Sequence, residues 1–122
     1  SQLRAALGKK FAILSGDDSM TLPFMSVGAQ GVISVASNII PRQLVKMVHG
    51  YLKGDAKVAL KLHEKYYPLF KDLFIETNPV PIKAACAKLG LCREEYRLPL
   101  VKMHPDNRRK LHATMKAAGV LK

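Results

Sequence analysis

The chain has 122 residues, 48% of them hydrophobic, which is enough for one domain with a core of its own and excludes a disordered segment. No run approaches the roughly 18 apolar residues that span a membrane, and no basic-then-apolar leader opens the sequence. Twenty Lys and Arg against nine Asp and Glu give a net charge of +11, so a polyanionic partner has to be weighed against a merely solvated basic surface.

Gln2 to Leu7 reads as the end of a helix closed by Gly8. Phe11 to Ser15 is a short apolar run without polar alternation, the pattern of a strand buried on both faces in a parallel sheet. Gly16-Asp17-Asp18 ends it, and a helix is predicted from about Ser19 to Val27, with Pro23 in its first turn and Gly28 at its close. Gly31 to Val35 repeats the strand pattern. Ala36-Ser37-Asn38 turns the chain, and Pro41 opens a helix to about Lys53. A strand–turn–helix unit thus occurs twice over residues 1–54, which argues for βαβ crossovers.

After Gly54 only helix and turn are predicted, over residues 55–122. Asp55 is the N-cap of a long helix whose apolar stripe is Val58, Leu62, Tyr66, Leu69 and Leu73, and Pro68 should kink it. Glu76 to Pro81 forms a rigid turn, and a helix follows from about Ile82 to Leu89, closed by Gly90. Arg97-Leu98-Pro99-Leu100 is extended, because a residue before proline avoids the helical region. Pro105 and Asp106 open a last helix that Gly119 ends.

Two parallel strands cannot cover both their faces or remove their edges. The expected fold class is therefore α/β, the C-terminal part of a (β/α)8 barrel of two parallel strands with helices, followed by an all-helical tail. A whole barrel takes about 250 residues. Either the remaining strands lie upstream of Ser1, itself a sign of processing or a boundary, or another copy of the chain completes the sheet. A homo-oligomer or the remainder of the barrel is the expected partner.

Few residues offer chemistry. Asp17 and Asp18 stand at the carboxyl end of a buried strand, where barrel enzymes build their sites, but an Asp before a helix is also a routine cap or loop acceptor. His63-Glu64 opens like a zinc-protease helix, yet Tyr67 stands where the second His is required. His49, His104 and His112 have no ligand at metal spacing and are expected at surfaces. Tyr66 and Tyr67 are expected to pack, the five methionines to fill the core, and Cys86 and Cys92 to be reduced thiols. No metal or cofactor is expected. Lys53, Lys57, Lys61 and Lys65 recur every four residues along one helix edge, a solvated face without interleaved aromatics, which disfavours nucleic acid. A Schiff-base lysine would need an apolar pocket at the carboxyl end of a strand. Lys9 and Lys10 flank the first strand at its amino end, and the other lysines fall on helices or loops.

Leu14-Ser-Gly-Asp-Asp18, Phe24-Met25, Gly28, Gly31-Val-Ile-Ser-Val35 and Asn38, in that order, resemble the seventh and eighth barrel strands of the dihydrodipicolinate synthase family. Asn78-Pro-Val-Pro-Ile-Lys83, Ala85-Cys86, Leu89-Gly-Leu91 and Arg97-Leu-Pro-Leu100 are similar to that family's helical C-terminal region, and the Asn-Pro-Val-Pro-Ile-Lys segment favours it over the N-acetylneuraminate lyases and sugar-acid aldolases. The resemblance implies a cytoplasmic lyase of lysine biosynthesis that condenses pyruvate with aspartate semialdehyde through a Schiff base. It also implies that Gly16 turns its backbone to the pyruvate, that Ile33 walls the pyruvate pocket and that Asp17 flanks it. The family's Schiff-base lysine, proton-relay tyrosines and threonine match nothing in this chain. Pyruvate binding is thus expected only in a completed barrel, and the chain alone is expected to be inactive. The alternative is a non-catalytic module that self-associates or docks on a full-length synthase.

Overall fold

The computed structural model describes residues 1–122. Its elements run α1 (Gln2–Leu7), β1 (Leu14–Ser15), a 3-10 turn (Asp18–Met20), α2 (Thr21–Ser26), β2 (Gly31–Val32), a second 3-10 turn (Ala36–Asn38), α3 (Pro41–Leu52), α4 (Ala56–Asp72), α5 (Val80–Lys88) and α6 (Pro105–Ala117). β1 and β2 pair in parallel, Leu14 opposite Gly31 and Ser15 opposite Val32. The crossover between them is α2, as the alternation of strand and helix predicts.

Both strands are shorter than their apolar runs. Each has a single neighbour, so pairing stops where that neighbour diverges. Flanking bonds extend the ladder by one step at each end: Gln30 N–H to the Ile13 carbonyl and Ile33 N–H to the Ser15 carbonyl, both 2.8 Å. Burial on both faces is also not realised within this chain. Ser15 is 1% exposed, whereas Leu14 is 47% and Ile33 70% exposed. The predicted Ser19–Val27 helix divides into a 3-10 turn and α2, and α5 starts two residues before its predicted Ile82.

One core runs through the molecule, from Leu22 and Met25 through Leu44 and Met47 to Tyr66, Leu69, Phe70, Leu73, Leu111 and Met115. α4, with its C-cap Leu73, supplies the largest single share of it. Asp55 caps the helix, its carboxylate accepting the Val58 N–H at 3.1 Å. The stripe that was expected is present, buried from Tyr66 onward and half-buried at Val58 and Leu62. The helix continues through Pro68. Tyr67 departs from expectation and is exposed, because it follows Tyr66 by 100° around the helix and so leaves the buried face. Met20 is likewise exposed, at the end of the 3-10 turn, while the other four methionines are buried. Lys57, Lys61 and Lys65 lie exposed on α4, but Lys53 closes α3 instead.

α1 has no buried residue. The Arg4 guanidinium holds it, donating to the carbonyls of Gly8 (2.8 Å), Phe11 (3.1 Å) and Gly28. Gly28 is required there twice over. Its φ is +100°, and a Cβ would meet Arg4 Nε at 3.0 Å.

Candidate functional site

The carboxyl ends of β1 and β2 carry the three residues singled out from the sequence. Gly16 follows β1 directly. It is exposed, and a Cβ built on it would meet nothing within 4 Å. Ile33 follows β2 and projects into solvent. Asp17 is exposed and acts as a cap, its carboxylate accepting from both the N–H and the hydroxyl of Ser19 at 2.7 Å. All three therefore stand at one end of the sheet. Gly16 and Ile33 offer an open surface there, and Asp17 is engaged with its own turn.

Asp18 is a loop acceptor, as expected, but its partners lie beyond the reach of local pattern. It is fully buried, with 0% exposure. Its carboxylate reaches across to the turn after β2, accepting the N–H groups of Val35 (3.0 Å) and Ala36 (3.1 Å) and the Ser34 hydroxyl. Ser34 Oγ also accepts the Ser37 N–H at 2.8 Å, so the second turn is built around this junction. From the first turn, the buried Thr21 hydroxyl donates to the Asp18 carbonyl at 2.9 Å, and Ser15 Oγ accepts the Asp17 N–H at 3.1 Å. The segments bearing Gly16 and Ile33 are thereby fixed to each other. A buried carboxyl group is tolerated where several donors satisfy its oxygens, as they do here.

No lysine stands in this arrangement. Every lysine but Lys83 is exposed. The Lys83 ammonium donates to the Glu95 carbonyl and lies 5.4 Å from the centre of the Tyr96 ring, so it is occupied outside the strand ends. Nor do the histidines gather. His104 caps α6, its Nδ1 accepting the Asp106 N–H at 3.3 Å, and His49 is exposed. His63 and His112 each bury a ring nitrogen without a partner, and burial lowers both their pKa values from the ordinary histidine range. In the tail, Arg108 pairs with Glu94 through two bonds, and this pairing holds the Glu94 carboxyl below its usual range. Tyr96, whose hydroxyl donates to Glu94 at 3.1 Å, is pushed up to about 12, by burial first and by the Glu94 charge second. The network ties the segment before α6 to α6. It opens no access to the strand ends.

A sequence model of the dihydrodipicolinate synthetase family matches residues 1–118. The 4-hydroxy-tetrahydrodipicolinate synthase of Aquifex aeolicus is 50% identical over 116 residues, which cover 95% of this chain and 40% of that protein. The synthase of Thermodesulfovibrio yellowstonii is 43% identical over 122 residues, 100% of this chain and 42% of that one. Among solved structures, the synthase of Methylacidiphilum fumariolicum SolV superposes with a TM-score of 0.95 at 53% identity, over 97% of this chain and 39% of its own. The dihydrodipicolinate synthase of Aquifex aeolicus superposes with a TM-score of 0.94 at 48% identity, over 98% and 41%. The chain thus spans about 40% of the length of the curated relatives it matches, and its two strands and helices correspond to part of their barrel and to the helical tail.

Proposed function

The chain belongs to the dihydrodipicolinate synthetase family, and on that premise we propose that it supplies the last two barrel units and the helical tail of a pyruvate-condensing synthase. In this reading residues 1–54 are the barrel units and residues 55–122 the tail. The reaction is the condensation of pyruvate with aspartate semialdehyde through a Schiff base, a step of lysine biosynthesis, in the cytoplasm. The lysine that forms the imine belongs to the rest of the barrel. This chain contributes surface: the Gly16 backbone, with no side chain to obstruct a close approach, and the Ile33 side chain as apolar wall. Asp17 flanks that surface, and no step of the reaction is assigned to it.

One observation carries the reading. Gly16 and Ile33 are open at the carboxyl ends of two parallel strands, and the buried Asp18 carboxylate fixes their relative position. A preset pair of surfaces with no reactive group of its own suits one wall of a pocket whose chemistry sits on other strands.

The chain alone should therefore be inactive. Purified chain treated with pyruvate and borohydride should gain no mass, and an adduct mapped to one of its lysines would overturn the reading. Coexpression with the remaining barrel strands of a synthase should restore trapping, on a lysine of those strands.

A second reading is favoured by the exposure of Phe11, Leu14 and Ile33 along the sheet. An open apolar sheet is a pairing template, so the chain would self-associate or dock on a full-length synthase without catalysing anything. Retained solubility with trapping never restored by coexpression would support that reading over the first.

A further inference from the structure

The end of α5 borders a cavity of about 430 Å³ whose lining includes both cysteines, together with Asn38, Ile82, Lys83 and Leu91. The fold brings the two thiols to one side. Lys83 and Cys86 are three residues apart on α5 and so share a face. Gly90, with φ +74°, reverses the chain after the helix. The Leu91 N–H then returns to the Cys86 carbonyl at 2.9 Å. Cys92, the next residue, lies back over the same face, its thiol donating to the Lys83 carbonyl at 3.9 Å. Neither thiol is in a disulfide, and neither belongs to the strand-end surface proposed above.

The two differ in access. Cys92 is exposed and Cys86 half-buried. Burial pushes the Cys86 thiol up, and the nearby Cys92 adds to the effect. An accessible thiol beside a sheltered one is the arrangement of an attacking and a resolving cysteine. In reducing compartments such pairs are transient and redox-sensing more often than structural.

We propose that Cys86 and Cys92 form a reversible dithiol–disulfide site that exchanges with low-molecular-weight disulfides of the glutathione class. The Cys92 thiolate attacks one sulfur of the oxidised tripeptide, breaking its S–S bond and releasing one tripeptide thiolate, which takes a proton from water. The Cys86 thiolate, its proton given to water, then attacks Cys92 Sγ and expels the second tripeptide thiolate, which is protonated in turn. The pair loses two electrons and two protons, and one small disulfide becomes two thiols. The second step is intramolecular, and proximity offsets the scarcity of Cys86 thiolate. Because Leu91 already holds the chain against the Cys86 carbonyl, closing the bridge asks for movement of the loop end and leaves α5 in place. The product lies in the wall of the cavity that Asn38, the residue that ends the turn after β2, also lines.

The test uses the whole chain, folded, with oxidised glutathione, read by intact mass and by non-reducing peptide mapping. The expected product is a monomer lighter by two hydrogens, with one peptide pair joining Cys86 to Cys92, and it reverts on adding reduced glutathione. Cys86→Ser should stop at a single glutathione adduct on Cys92. Cys92→Ser should react at least tenfold more slowly when folded and lose that protection in denaturant. Circular dichroism confirms that each variant is folded. Stable adducts on both cysteines, chain dimers joined through Cys92, or no reaction of the folded chain would each overturn the proposal.

Discussion

Asp18 Oδ2 accepts the backbone N–H of Ala36 at 3.1 Å, although eighteen residues separate them. With the Val35 N–H on the same oxygen, this one carboxylate satisfies two backbone donors of the second turn from the first. Asp18→Ala strands both donors away from water, at about 1–3 kcal/mol each when nothing replaces the bond. We expect a loss of about 3 kcal/mol in urea unfolding, and roughly half that for Asp18→Asn, which keeps the volume and one acceptor. A loss below about 1 kcal/mol for the alanine variant would show that the two turns hold their positions without the tie.

Exposed apolar residues on the open sheet predict self-association. Light scattering at micromolar concentration should find a dimer or larger species, strengthened by salt because the net charge of +11 repels like copies. Leu14→Lys and Ile33→Lys should each shift the population toward monomer while leaving the unfolding midpoint nearly unchanged, since both side chains already face solvent. A parent chain that stays monomeric at every salt concentration would contradict this.

Stability should fall on acidification, in two stages. His63 and His112 have folded-state pKa values lowered by burial from the ordinary 6.5. Glu64 opposes the shift at His63, and Lys88 and Arg108 reinforce it at His112. As pH drops through the ordinary histidine range, the unfolded chain binds these protons first and stability declines. Glu94 acts lower down. Its carboxyl is held below the ordinary 4.5, chiefly by the Arg108 bond, so its contribution is intact above that value and lost as pH falls through the folded one. Urea midpoints measured from about pH 7.5 to about pH 4 should decrease throughout. His63→Phe, set among Tyr67 and Phe70, should flatten the first stage, and an unchanged slope would remove His63 from the account.

The basic face of α4 should behave as solvated charge. Lys57, Lys61 and Lys65 are exposed, and the Tyr66 ring, 5.1 Å from the Lys65 ammonium, is buried and so offers no face on which a base could stack. Binding to duplex DNA at physiological salt should be weak and indifferent to sequence. A tight, sequence-selective complex with a steep salt dependence would assign this face a nucleic-acid role instead.

Local chemistry is legible in the sequence. The Asp17 and Asp55 caps, the α4 stripe from Tyr66 to Leu73 and the parallel pairing of two runs all follow from short-range pattern. What pattern could not supply was anything that depends on distant partners. Asp18 looks like its neighbour Asp17 in the sequence, yet it is buried because Ser34, Val35 and Ala36 arrive from beyond the crossover helix. The apolar run through Leu14 implied cover on both faces, since hydrophobicity records the environment a segment suits and is silent on which chain provides it. Gly16 and Ile33 were named by resemblance. Composition alone would have passed over a glycine with room for a side chain and an isoleucine facing water.

The way α1 is attached has a consequence for how the chain comes apart. That helix has no buried residue and is held mainly by the fan of bonds from the Arg4 guanidinium. Its detachment breaks those bonds and uncovers little apolar surface, so the amino-terminal segment should breathe on a far lower free-energy scale than α4, whose opening exposes Leu69, Phe70 and Leu73. Amide protons of residues 2–10 would then exchange by local fraying, and trypsin would nick at Lys9 or Lys10 under fully native conditions, with the remainder of the molecule intact.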